Sequence, residues 1–280
     1  MIAIYRQTLR RQLGQVLGWG IAIALIAAGI ASIYTTIAQQ RASLEQLMNS
    51  YPPEMLAFFG DATAVFTPAG FLGIEFFSLL PLILGIFALI TGSGLLASDE
   101  ENGTLDLYLA HPISRLQLYA GRLAAFITAL FGILVIIWIG LVLGARSANM
   151  ELTLVELARP FLSIGAVLLL FGSLAVALSL LLPSRRTAAM VTGLLLVASY
   201  IATSLARVND NLKPLARLLP LDYYQGGAAI TQLNWGWLGG LLVAAVACAV
   251  LGAWLFKRRD IRVGGEGNRD FNRLRRKPAS

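Results

Sequence analysis

Few residues in this chain have the chemistry to act, and they are unevenly placed. Its 280 residues include one histidine and one cysteine. The densest polar set is Asp99, Glu100, Glu101 and Asp106, followed by His111. Carboxylates near an imidazole can hold a metal or carry out acid–base chemistry. Here the histidine is alone and no Cys/His/Asp/Glu set has ligand spacing, so His111 beside Pro112 reads as a surface turn residue. Cys248 lies in an apolar run and has no partner for an intramolecular disulfide, so it reads as a small packed or lipid-facing residue. No Gly-x-x-x-x-Gly-Lys-[Ser/Thr] phosphate loop occurs: Lys213, Lys257 and Lys277 precede Pro, Arg and Pro. ATP hydrolysis by that route is excluded. What remains for the acidic cluster is electrostatic recognition, either of basic residues on another protein or of the chain's own N-terminal arginines.

The elements that must position this cluster follow from composition. Hydrophobic residues make up 57% of the chain and charged residues 13%, against about 25% charged in an average soluble domain. That balance excludes a soluble enzyme, a disordered tail and a secreted disulfide scaffold, and it specifies an all-α integral membrane protein. A membrane helix takes about 20 mostly apolar residues. Six stretches qualify, at about 16–38, 76–97, 123–145, 161–182, 188–206 and 236–256, none with an ionisable residue. Together they form a single transmembrane domain over 1–256, followed by a basic tail over 257–280. Pro183 stops the fourth span and allows a tight hairpin into the fifth. Pro81 falls inside the second span and predicts a kink.

Orientation follows the positive charges. With both termini inside, 16 lysines and arginines lie on the cytoplasmic side and 6 outside, so N-in/C-in is the expected topology. The net charge of +7 is then a topology signal rather than a nucleic-acid signature.

Residues 1–15 read as an amphipathic interfacial helix. Ile2, Tyr5, Leu9, Leu13 and Val16 form its apolar face, while Arg6, Arg10 and Arg11, with Gln7 and Gln12, form the face toward anionic lipid. The plainer reading is a positive segment that only sets topology. The first outer loop, about 39–75, is apolar enough to pack back on the membrane surface. The last outer segment, 207–235, reads as a short membrane-associated helix interrupted at Pro220. Tyr223, Tyr224, Trp235 and Trp237 suit an interfacial aromatic belt. The tail reads as a cytoplasmic anchor, or as a site for anionic lipid or an acidic partner.

The loop between spans two and three, 98–122, carries the most information. Asp99, Glu100 and Glu101 extend the second span into water, and Gly103 loosens it. Leu105 and Leu109 form a short apolar stripe, and Pro112 turns the chain. Ser114 followed by Gln117 is a capping-box pattern that starts a new helix running into the third span. The result is a stiff helix–turn–helix at the membrane surface.

The string Glu100-Glu101-x-Gly103-Thr104-Leu105-x-x-x-Leu109-x-x-Pro112-Ile113-Ser114-Arg115 resembles the signature loop of ABC-2 type transporter permeases. His111 stands where that family has a small or polar residue. The six-span layout and the position of the loop agree with the family.

The resemblance implies the transmembrane subunit of an ABC exporter in a multi-pass prokaryotic plasma membrane. It implies a second permease copy, identical or not, and a separate ATPase subunit that binds the ATP and Mg. No cofactor is expected in this chain and no nucleic acid is expected as partner. The 98–122 loop would be the coupling helix. Asp99, Glu100, Glu101, Gly103 and Thr104 would hinge and cap the second span, and Leu105, Leu109, Pro112, Ile113, Ser114 and Arg115 would contact the ATPase. Two other classes fit a six-span chain: a polytopic enzyme acting on lipid, and an ATP-independent secondary transporter or scaffold.

Overall fold

The computed structural model describes residues 1–40, 66–101 and 114–258. Among them six helices are long and apolar enough to cross a membrane, and no strand occurs. They are α1 (Ile2–Gln39), α2 (Leu80–Glu101), α3 (Arg115–Ser147), α4 (Leu154–Leu181), α5 (Arg185–Ala206) and α6 (Trp235–Arg258). All six expected spans are present, and the chain is an all-α integral membrane protein.

Local sequence explains the helix starts. Ser114 and Gln117 form the reciprocal capping box at α3, and Thr153 and Glu156 form another at α4. Ser184 caps α5, and Pro183 follows Leu182, the C-cap of α4, as expected for a helical hairpin. Pro81, by contrast, sits in the first turn of α2, after a π-helical turn at Gly73–Phe77. It opens the helix rather than kinking its interior, because the first turn has no amide bond for proline to break.

α4 is the most enclosed helix and packs against α2, α3, α5 and α6. α1 lies along α3. Their seam uses small residues: a Cβ added at Gly140 would stand 2.5 Å from the Ala24 carbonyl oxygen, and one at Gly144 would stand 2.6 Å from Ala28 Cα. In lipid, where apolar burial gives no driving force between helices, such close backbone approach supplies the packing attraction.

Other expectations change as well. The interfacial helix and first span are one 38-residue helix, with no break at position 16. Of the expected apolar face, Val16 is buried in the bundle, along with Ile4 and Gln12, while Ile2 and Leu13 are exposed. Packing on α3 buries these residues. Finally, the described end of the first outer loop enters the bundle. Phe66, Phe71, Phe76 and Phe77 are buried, and the Tyr34 hydroxyl donates to the Phe66 carbonyl at 2.9 Å.

The segment between α5 and α6 is a chain of short turns: Asp210–Leu212, Lys213–Ala216, Pro220–Tyr223 and Ala228–Thr231. It closes one end of the bundle. Tyr223 and Trp237 stack edge to face at 5.9 Å, in keeping with a rim position. Tyr224 departs from the expected belt. Its hydroxyl donates inward to the Phe77 carbonyl at 2.9 Å, and burial raises its pKa above the usual tyrosine range.

Candidate functional site

The helices alternate in direction, so one end of the bundle collects Met1, the last turn of α2, the starts of α3 and α5, and the end of α6. The helix pair joined by residues 102–113 has its open ends here. Gly103, Thr104, Leu105, Leu109, Pro112 and Ile113 lie outside the described residues, as do the helix–turn–helix they were expected to form and most of the 257–280 tail.

The acids at the end of α2 divide into distinct environments. Asp99 was expected to extend into water, but it is buried. Arg122, on α3, donates to its carboxylate and also, at 2.7 Å, to the Leu95 carbonyl. Arg122 is only 4% exposed, so this is a desolvated ion pair between two helices. Arg11 of α1 approaches the other Asp99 oxygen at 3.8 Å. Glu100 is half-buried.

Glu101 turns toward α5. Its carboxylate meets Arg185 Nε at 3.0 Å and accepts the Arg185 backbone N–H, also at 3.0 Å. That amide is one of the unpaired donors of the first turn of α5, where a negative charge is favoured by the helix dipole. Arg185 Nη1 adds a hydrogen bond to Ser98 at 3.3 Å. The last turn of α2 is thereby tied to α1, α3 and α5. Of the two sources of basic charge foreseen for the acidic cluster, the chain itself supplies Arg11, along with Arg122 and Arg185.

A cavity of about 240 Å³ lies among these groups, lined by Gln7, Gln12, Thr91, Ser98, Asp99 and Arg185 with their neighbours. Gln12 is buried, and its side-chain carbonyl has no hydrogen-bond partner. Arg6 and Arg10 are exposed on the outer side of α1 and do not join the cluster. Ser114 is exposed and caps α3, while Arg115 begins that helix half-buried.

Sequence reasoning missed Arg122 as a buried residue and Arg185 as the anchor of Glu101. A signal for Arg122 was available. Once the Ser114 capping box starts α3, Arg122 falls two turns inside a membrane helix, where a charge needs a partner. Arg185 carried no such signal, since its partner stands 84 residues away.

Among curated proteins none matches the chain. The family model described as "ABC-2 family transporter protein" matches residues 3–261, which takes in all six spans and the 98–122 loop. With nearly its whole length matched to that model, the chain belongs to the ABC-2 family of transporter proteins.

Proposed function

We propose that the chain is the permease subunit of an ABC exporter, driven by a separate ATPase that docks on the 98–122 loop. Family membership makes it a transport subunit of the ABC type. The observation that carries the coupling role is the charged cluster at the base of that loop. Residues 102–113 join α2 to α3, and Asp99, Arg122, Glu101 and Arg185 bind the ends of these two helices to one another and to α5. A displacement of the loop therefore reaches several spans together rather than bending one.

In this reading the loop end is cytoplasmic, which is where the positive-inside rule puts Arg6, Arg10, Arg11, Arg185, Arg186 and Lys257. Two permeases pair in the prokaryotic plasma membrane, and ATP and Mg bind the partner. Leu105, Leu109, Pro112 and Ile113 supply the apolar docking contact, and Ser114 holds the α3 start that receives it.

Co-expression with the candidate ATPase and reconstitution into vesicles tests the proposal. Ile113→Asp should leave expression and Tm unchanged, abolish co-purification of the ATPase and stop ATP-driven transport. Glu101→Arg is the poorer probe, because Glu101 also holds Arg185 within the chain. Normal co-purification and transport by Ile113→Asp would sink the docking claim, and transport by the purified chain without ATP would sink the ABC mechanism.

A further inference from the structure

The opposite end of the bundle holds a larger cavity, of about 760 Å³, between α2, α5 and the 221–231 segment. Its two long walls are unlike each other. Tyr200, Thr203 and Ser204 of α5, with its C-cap Arg207, line one wall. They recur at steps of three and four, so they form a polar stripe on one face of an otherwise apolar helix. The approach to α2 contributes Ile74, Phe77 and Pro81, together with Thr67 and Ser78.

Two of the stripe residues have unspent polar capacity. Threonine hydroxyls in membrane helices ordinarily donate to a carbonyl one turn back, as Thr128 does to Ala124 and Thr192 to Ala188. Thr203 does not. It is only 9% exposed, and its hydroxyl has no hydrogen-bond partner. Arg207 is exposed at the cavity rim and forms no ion pair with a described acid. A smaller cavity continues from Thr203 and Arg207 toward Lys213 and Arg217, with Asp222 as its lining acid. Arg207, Lys213 and Arg217 share this lining with one acid, Asp222, and Lys213 is also paired with Asp210 at 2.8 Å.

We propose that this cavity binds an amphipathic anion, with its acidic head at Arg207 and its apolar body against Ile74, Phe77 and Pro81. A volume of this size is in the range of small-molecule sites, which are mostly apolar with a few placed polar groups. Thr203 supplies a buried hydrogen bond just below the head. The identification of this ligand as the exporter's cargo rests on the function proposed above; the binding itself does not.

The test uses the full chain in phosphatidylcholine nanodiscs, with no ATP and no other subunit. A dodecanoate bearing a diazirine is photolysed on the protein, and the labelled peptides are mapped by mass spectrometry. Label is expected on 74–81 and 200–207, displaced by dodecyl phosphate and not by dodecyltrimethylammonium. Arg207→Gln should weaken labelling about tenfold, the loss expected for one charge-assisted hydrogen bond. Thr203→Val should weaken it by a few fold, and Arg207→Lys should retain most of it. Displacement by phosphatidylglycerol blended into the disc identifies a bilayer lipid as the source of the anion; indifference to it identifies a diffusible amphiphile.

Equal displacement by the two head groups overturns the proposal, as does unchanged labelling in both Arg207→Gln and Thr203→Val. Should one variant fail to fold, the other variant and the head-group comparison still decide. Loss of ATPase co-purification in Ile113→Asp has no bearing on this labelling, so failure of one reading is distinguishable from failure of the other.

Discussion

The two ends of the bundle are closed by different chemistry. At the loop end, α1, α2, α3 and α5 are joined through carboxylates and guanidinium groups, centred on the buried Asp99–Arg122 pair. At the opposite end no ion pair joins two long helices among the described residues; the ties are mostly neutral hydrogen bonds, with Arg159 the charged donor and Lys213–Asp210 a local pair within one turn. Ser163 and Ser199 accept the Gln225 and Leu221 amides at 3.0 and 3.1 Å. Gln225 exchanges two hydrogen bonds with the Asn234 backbone, at 2.6 and 3.0 Å. Arg159 donates to the carbonyls of Ile230 and Thr231, and Tyr224 to that of Phe77. Neutral hydrogen bonds tolerate partial burial at small net gain. Buried charges are neutral in net effect only while paired, and strongly destabilising once separated. Separating helices therefore costs more at the loop end, and the other end holds the larger of the two cavities.

The sharpest way to break this contrast is to strand one charge. Asp99→Asn or Arg122→Met should each cost about 3–5 kcal/mol in thermal or denaturant unfolding. The double variant Asp99→Leu/Arg122→Met should recover most of that loss. A double variant as damaged as the two singles combined would show that the pair is not the tie it is read to be.

The corresponding cut at the opposite end is smaller. Gln225→Leu removes both bonds to Asn234 and should cost about 1–3 kcal/mol by the same measurement. Tyr224→Phe removes one hydrogen bond and should cost about 1 kcal/mol. It should also alter the alkaline limb of stability. Burial favours the neutral phenol, so the unfolded chain loses this proton first, near pH about 10, and stability falls as pH rises beyond that point. Tyr224→Phe should flatten the fall in a Tm-versus-pH series.

The smallest effect belongs to Glu101→Gln. Both Glu101 and Arg185 are substantially solvated, so the pair is worth about 0–1 kcal/mol and is screened by salt. Its Tm difference from the parent should shrink with added salt, while that of Asp99→Asn should persist. Equal salt sensitivity of the two would erase the distinction between a buried pair and a surface one.

Much of this molecule was legible along the chain. Six uncharged apolar runs announced six spans, because lipid demands about 20 residues of apolar helix at each crossing. Ser114 with Gln117, and Pro183, marked helix boundaries through effects that reach only three or four residues. The 100–115 motif pointed to the family that the full-length match now establishes.

What escaped the reading has a common cause. Asp99 looked solvated because its partners, Arg122 and Arg11, lie on other helices. Tyr224 looked like an interfacial belt residue because nothing near it in sequence reveals the Phe77 carbonyl. The burial of Gln12 could not be foreseen because a helix packed on a neighbour buries whatever meets the seam. The cavity stripe on α5 was present in the spacing of Tyr200, Thr203, Ser204 and Arg207, but spacing alone does not distinguish a lining face from a packed one.

By itself the sequence determined the membrane, the number of spans, their caps and the family, since each depends on local composition or short-range bonding. Only the tertiary structure decided which charges are buried together, which face of α1 is hidden and where space is left beside α5. Those outcomes depend on groups far apart in the chain being brought within a few ångströms, a distance that no pattern along one helix encodes.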